Sequence, residues 1–401
     1  MKTLSLYNHI LKIALGIILI ITVSACRKEI PQGHSPEGNP ALSFSEVFDS
    51  FWTGMNNNYV FWDIDPTDWD QVYRTYKPKF ANLKMEDSTD VKLSFKYFKE
   101  MTAGLVDGHY SIQFNSPYLR DSLIDPGYAR HMKSPDFHLY DIDSNFFFNT
   151  ILDKRIGKAN GMGVRLDTSS TFSPVRMVAG KINKDILYLY FSDCAVKINY
   201  ENDMAKKLLD YFFTEIKQSD LRGIILDVRG NGGGNTEDVN FLLGHLTDRP
   251  YVFARSRGKG GIGRLDYTGW IDVSVQPTKD AKAFNKPIII LADQSTGSAA
   301  ESTVMAVRAF PGGKGRFVGE RTIGAHGPRL GSLPLSVISN SGPFRFDMAK
   351  SFGMGAQEFR YIDGKNTEGI GITPDVEVKY NKAALDRGED PQLDKAISLI
   401  P

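Results

Sequence analysis

Residues 287–313 read PIIILADQSTGSAAESTVMAVRAFPGG. The β-branched run Pro287-Ile288-Ile289-Ile290-Leu291 has the composition of a buried strand. It ends in Ala292-Asp293-Gln294, and small residues follow from Ser295 to Ala300, ahead of Glu301. Val304, Met305, Val307, Ala309 and Phe310 then recur at helical spacing until Pro311-Gly312-Gly313 stops them. The pattern predicts strand, tight turn and helix, with Ser298 where the helix begins. Free backbone N–H groups and the positive end of the helix dipole meet a hydroxyl at such a place. That suits an N-cap, the ordinary role of a lone serine before a helix, and it also suits a nucleophile. The rest of the chain decides between them.

The chain has 401 residues, enough for one large domain or two ordinary ones, and is 41% hydrophobic and 24% charged, as a globular protein should be. A formal net charge of +1 gives no field that would attract nucleic acid. Lys2 and Lys12 precede the apolar run Ile13 to Val23, which ends in Ser24-Ala25-Cys26. This pattern predicts a signal peptide over 1–25, and its run is short for a membrane-spanning helix. A cysteine where the cut should fall resembles a bacterial lipobox, which implies a lipid on Cys26 and a location in the cell envelope. Pro31, Gly33, Pro36, Gly38 and Pro40 make residues 26–42 a flexible tether. Cys194 is the only other cysteine, so neither an internal disulfide in the mature chain nor a cysteine-based zinc site is expected.

Aromatic residues at helical spacing, among them Phe48, Phe51, Trp52 and Met55 and then Phe95, Phe98 and Met101, predict an N-terminal helical subdomain over 43–105. Asp107-Gly108-His109 then turns the chain into a strand. Residues 106–180 read as a β-rich connection. Tyr200 to Gln218 reads as one amphipathic helix through Met204, Leu208, Leu209, Phe212, Phe213 and Ile216. Leu221 to Val228 is a buried strand that opens into Arg229-Gly230-Asn231-Gly232-Gly233-Gly234-Asn235. Strand, glycine loop and helix suggest a phosphate loop, but no Lys-Ser/Thr pair follows and the glycine spacing is not that of a dinucleotide fold. Glycines also let backbone N–H groups approach a ligand atom, as an oxyanion hole requires. Tyr251 to Val275 and Gly331 to Phe346 read as hairpins, and Asp390 starts a final helix. No internal repeat and no metal-ligand cluster is legible.

Four segments in this order resemble the C-terminal processing (tail-specific) peptidases, and within them the tricorn-like branch. They are Leu226-Asp227-Val228-Arg229-Gly230-Asn231-Gly232-Gly233-Gly234, Gly297-Ser298-Ala299-Ala300-Glu301, Val318-Gly319-Glu320-Arg321-Thr322-Ile323-Gly324, and Gly371-Ile372-Thr373-Pro374-Asp375-Val376-Glu377-Val378 with the Asp390-Pro391-Gln392-Leu393 helix start. The resemblance runs from about Phe44 to Ile400. It implies an α/β fold with a crotonase/ClpP-like peptidase core over 181–401. Many relatives carry a PDZ domain before that core, and the stretch between Tyr118 and Val175 is short for one, so none is expected. Relatives with a Ser-Lys dyad place the lysine just after the Thr-x-Gly of the third segment. Ala325 and His326 stand there, so that mechanism does not carry over. The tricorn-like branch takes its histidine from an upstream Asp-Gly-His and orients it with a glutamate near the C-terminal Pro-Asp motif. The resemblance therefore implies a triad of Ser298, His109 and Glu368, with His326 as a reserve base.

Serine needs a base at neutral pH, imidazole titrates in the right range, and a carboxylate on the far ring nitrogen holds the tautomer. The N–H of Ala299 and that of Gly232 or Gly233 are the expected oxyanion donors. The leading expectation is a lipid-anchored envelope serine endopeptidase acting on a peptide or protein, with no metal or nucleotide cofactor. The alternatives are a binding protein for peptides or apolar ligands on the same scaffold, and an esterase with the same triad.

Overall fold

The structure is a computed structural model that describes residues 41–120, 122–138, 153–156, 164–167, 175–331 and 348–401. The expected signal peptide, Cys26, most of the tether, most of the Gly331–Phe346 hairpin and much of the stretch in which no PDZ domain is expected lie outside the described residues.

The strand-forming runs meet in a seven-stranded sheet. Its strands are β3 (Val164–Asp167), β4 (Arg176–Ile182), β5 (Ile186–Phe191), β6 (Gly223–Asp227), β9 (Ile288–Ala292), β10 (Gly315–Gly319) and β14 (Val376–Glu377), in the spatial order β14-β10-β9-β6-β5-β4-β3. From β14 to β5 neighbouring strands run parallel, and β4 and β3 continue the sheet antiparallel. Parallel pairing needs covered faces, and the sequence alternates accordingly. In β9, Ile288, Ile290 and Ala292 enter one core while Ile289 and Leu291 enter the other. In β5, Leu187, Leu189 and Phe191 join the first, and Ile186, Tyr188 and Tyr190 the second. The helix α8 (Ala299–Arg308) covers the first face through Val304, Met305 and Val307. The C-terminal helix α9 (Pro391–Ser398) covers the second through Leu393 and Ala396.

The segment expected as one helix over Tyr200–Gln218 is two, α5 (Val196–Glu201) and α6 (Lys206–Glu215). Asp203 sits between them at φ 60, a left-handed conformation that no α-helix continues through, and Met204 is exposed. The apolar spacing of Leu208, Leu209, Phe212 and Phe213 belongs to α6 alone.

Residues 43–105 form three helices, α1 (Phe44–Asn58), α2 (Trp69–Ala81) and α3 (Ser88–Thr102), capped at their starts by Ser43, Asp68 and Asp87. Their aromatic faces meet each other. Phe51 touches the rings of Trp69, Phe98 and Phe352 at centroid separations of 6.2, 5.0 and 6.3 Å. Phe352 belongs to β12 (Ala349–Gly355), which pairs antiparallel with β1 (Ser111–Phe114) and with β11 (Arg329–Gly331). The helical unit therefore packs on β12, the partner of the strand that directly follows His109. A third, three-stranded sheet joins β7 (Tyr251–Arg257) to β8 (Ile271–Val275), the hairpin expected there, and to β13 (Glu358–Tyr361).

Phe51 is fully buried at the centre of this aromatic cluster. Phe51→Ala is expected to cost about 3–5 kcal/mol of stability by urea denaturation. A loss under about 1 kcal/mol would show that the ring does not hold the helices to β12.

Candidate active site

Ser298 ends the turn after β9 with φ 53 and ψ −122, a conformation that costs a non-glycine residue energy and persists only where its surroundings enforce it. Three contacts enforce it. The Ser298 N–H donates to the Ala325 carbonyl at 2.8 Å and lies 3.2 Å from Glu301 Oε2. The preceding Gly297 N–H donates to the Asn231 carbonyl at 3.0 Å. Glu301 is fully buried and also accepts the N–H groups of Gly324 and Ala325 at 2.9 and 2.8 Å and the hydroxyl of Thr322. One carboxylate thus ties the first turn of α8 to the loop 320–326. The hydroxyl itself goes elsewhere. Ser298 Oγ lies 3.1 Å from His109 Nε2.

His109 is held by the turn before it. Its N–H donates to Asp107 Oδ1 at 2.8 Å, and Asp107 Oδ2 accepts from Gly355, the last residue of β12, at 2.7 Å. The Asp107 N–H reaches Tyr59 Oη at 3.2 Å, and Tyr59 donates to Asp65 at 2.7 Å. Asp65 also accepts from Val106 at 2.8 Å. The helical unit thereby fixes the Asp-Gly-His turn through buried polar contacts. A Cβ at Gly108 would lie 2.6 Å from the Ala325 side chain and from the Gly324 carbonyl, so the turn presses directly on the loop 320–326.

Glu368 closes the site from below. Oε1 accepts the Gly108 N–H at 2.8 Å and Oε2 accepts the His326 N–H at 2.9 Å. Asp107, His109 and Glu368 each place a nitrogen or oxygen within 4.8 Å of the other two. His109 Nδ1 is buried and makes no hydrogen bond among the described residues, so the carboxyl is beside the ring without being bonded to it. His326 stands apart from Ser298. Its Nε2 pairs with Thr367 Oγ1 at 2.7 Å, and its Nδ1 lies 3.4 Å from Glu301. The serine hydroxyl meets His109, not this reserve base.

Burial dominates the electrostatics. It lowers the His109 pKa to about 4, helped by the Arg329 guanidinium and by His326. It raises Asp107 to about 6 and Glu368 well above the usual carboxylate range, and in Glu368 the neighbouring Asp107 adds to the rise. Two buried carboxyls so close cannot both carry charge cheaply.

The glycine loop packs against Ser298. A Cβ at Gly233, which has φ +110, would lie 2.6 Å from Ser298 Cβ and 3.1 Å from the Ala299 nitrogen. Of the two glycines expected as oxyanion donors, Gly233 has its N–H engaged by Asn231 Oδ1 at 2.8 Å. Gly232 is exposed, and the N–H groups of Gly232 and Ala299 have no acceptor among the described residues. Asp107, Glu301, Tyr59 and Asn231 were not singled out in the sequence. Only Glu301 carried a signal, the Ser-x-x-Glu spacing of a capping box at Ser298.

Residues 194–378 match peptidase family S41, and residues 40–88 match the tricorn protease C1 domain. Among solved structures, a candidate peptidase from Parabacteroides merdae ATCC 43184 superposes with a TM-score of 0.66 at 23% identity, covering 90% of this chain and 97% of that one. Mature CPAF complexed with lactacystin superposes with a TM-score of 0.57 at 12% identity, covering 89% and 98%. At these identities the two likenesses speak for the fold. A search of curated proteins found no match.

Glu301→Gln would keep the volume of the side chain but turn an amide NH2 toward groups that are themselves donors. At least one buried donor then loses its acceptor, and the variant is expected to lose about 1–3 kcal/mol of stability in thermal or urea melts. An unchanged melt would show that the carboxylate does not bear the turn. With the S41 segment spanning most of the glycine loop, the nucleophile turn and the C-terminal loop, the chain is a serine-type peptidase.

Proposed function

We propose that this protein is an endopeptidase that cleaves peptide or protein substrates through an acyl-enzyme on Ser298, with His109 as general base and Glu368 as the carboxylate partner of the histidine. The observation that carries this reading is the 3.1 Å contact between Ser298 Oγ and His109 Nε2 across a strained turn. In the first step Ser298 Oγ attacks the substrate carbonyl carbon while its proton passes to His109 Nε2. The carbonyl oxygen, now negative, is met by the N–H groups of Gly232 and Ala299. Collapse of the intermediate breaks the C–N bond, and His109 returns the proton to the leaving amine. Water then repeats the sequence and releases the acid.

The same proposal reads the core over 181–401 as crotonase/ClpP-like and the segment 43–105 as a subdomain that positions His109. It places the chain in the cell envelope, held by lipid on Cys26. That location rests on Lys2, Lys12, the apolar run Ile13 to Val23 and the cysteine that follows Ser24-Ala25. No described helix is long and apolar enough to cross a membrane.

A fluorophosphonate probe is expected to label the purified protein at Ser298. Ser298→Ala should not label, and His109→Ala should label ~10³-fold more slowly or less. Labelling of Ser298→Ala at the wild-type rate would sink the reading.

The pH dependence follows from the desolvation of the histidine ring. A histidine lowered to about 4 is still almost wholly neutral at pH 5.5, whereas one at its ordinary value of about 6.5 would be only about one-tenth neutral there. The labelling rate is therefore expected to change less than about twofold between pH 7.5 and 5.5 and to fall nearer pH 4. A tenfold drop by pH 5.5 would mean that the ring is wetter, or that its anionic neighbours are charged.

A further inference from the structure

Asn231 performs no chemistry in the reading above, yet its side chain is fully buried and all of it is engaged. Oδ1 accepts the Gly233 N–H at 2.8 Å and faces the Cys194 thiol at 3.8 Å. Nδ2 donates to the carbonyl of Phe191, the last residue of β5, at 3.0 Å. The backbone carbonyl of the same residue accepts the Gly297 N–H, one residue before the nucleophile. One residue thus joins a strand end of the central sheet, the glycine loop and the serine turn.

The amides along the loop are divided accordingly. Arg229 and Gly230 donate to Asp227 and Asp293, Asn231 to the Val228 carbonyl, Gly233 to the Asn231 side chain, and Asn235 to the Cys194 carbonyl. Gly232 and Gly234 are left without an acceptor among the described residues. Gly234 is pressed against Cys194, where a Cβ would lie 2.5 Å from the carbonyl. Around Gly232 a Cβ would meet nothing within 4 Å, while its neighbour Gly233 packs on Ser298 and Ala299. Gly232 thus combines an N–H without an acceptor among the described residues with open space at its Cα, next to a glycine that packs on Ser298.

We infer that Asn231 is a positioning residue for the oxyanion hole: by holding the Gly233 N–H on its own amide oxygen, it turns the Gly232 N–H toward the oxygen that becomes negative on acylation. This deepens the proposed acyl transfer at Ser298 and rests on it. Asparagine meets both demands because one amide accepts from Gly233 and donates to Phe191. Aspartate would accept but not donate, and it would set a negative charge beside the developing oxyanion.

The test uses the full chain with Asn231→Ala, Asn231→Asp and Ser298→Ala. A fluorophosphonate probe places its own P=O oxygen where the substrate oxygen would sit. Its labelling rate is read against pH, together with melting temperature. Asn231→Ala is expected to label about 100-fold more slowly, as loss of one oxyanion donor does, with the pH midpoint unchanged and the melting temperature lowered only as far as two buried groups losing a partner require. A general loosening of the site would move the pH midpoint as well. A rate within threefold of wild type, or a loss that comes with a displaced midpoint, overturns the assignment. Asn231→Asp keeps the acceptor for Gly233. Its rate relative to wild type is expected to fall as pH rises through the titration of the new carboxyl, and a ratio independent of pH also overturns the assignment. Ser298→Ala reads the nucleophile separately. If it fails to label while Asn231→Ala labels normally, only the role of Asn231 fails. If it labels like wild type, the proposed nucleophile fails and the role of Asn231 with it.

Discussion

The carboxyl of Glu368 accepts one backbone N–H from Gly108 and one from His326, residues on two loops far apart in the chain. Everything around the serine depends on such contacts. A buried carboxyl is costly unless hydrogen bonds replace its water, and backbone amides in tight turns are equally costly when left bare. Each requirement answers the other. Asp107 takes the amides of His109 and Gly355, Glu301 those of Ser298, Gly324 and Ala325, and Asp293 that of Gly230. Four acidic residues, all buried, therefore fix the loops that carry His109, Ser298 and the glycines beside it. Apolar packing holds the sheet together, but it cannot set a loop to a fraction of an ångström, whereas directional hydrogen bonds can.

This division explains what the sequence disclosed. The strand–turn–helix at 287–313, the glycine loop after Val228 and the turn before His109 were legible, because periodicity and turn chemistry are local signals. The assignment of strand residues to the two cores came only with the structure, since a run that is apolar throughout, such as Ile288 to Leu291, does not say which face each residue takes. The break at Asp203 was hidden, because the apolar spacing on α6 is strong and Met204 extends it by accident. Nor could distance be read. Ser298 and His109 are 189 residues apart in sequence, and the order of motifs places them in one protein without placing them in contact. Asp107 read only as a turn residue, since its work is to accept an amide from β12 that lies 248 positions away.

The same burial that orders the site also sets its charge. The serine can give up its proton only if the resulting imidazolium is tolerated, and a ring whose pKa is lowered to about 4 does not favour that cation. The compensation is close by in Asp107 and Glu368, two carboxyls within 4.8 Å of the ring and of each other. Desolvation raises both, Asp107 to about 6 and Glu368 well above the usual carboxylate range, so near neutral pH the pair carries one negative charge more readily than two. Under the proposed mechanism, one negative charge on this pair stabilises the cation that forms on His109. A buried pair can supply that charge singly but not twice, because the second ionisation would meet the first across the same short distance. His109 Nδ1, which makes no hydrogen bond among the described residues, is the atom at which that charge would be felt. Under that proposal the histidine acts as one member of a three-group acid–base unit rather than as a base with an ordinary pKa and a fixed anionic partner.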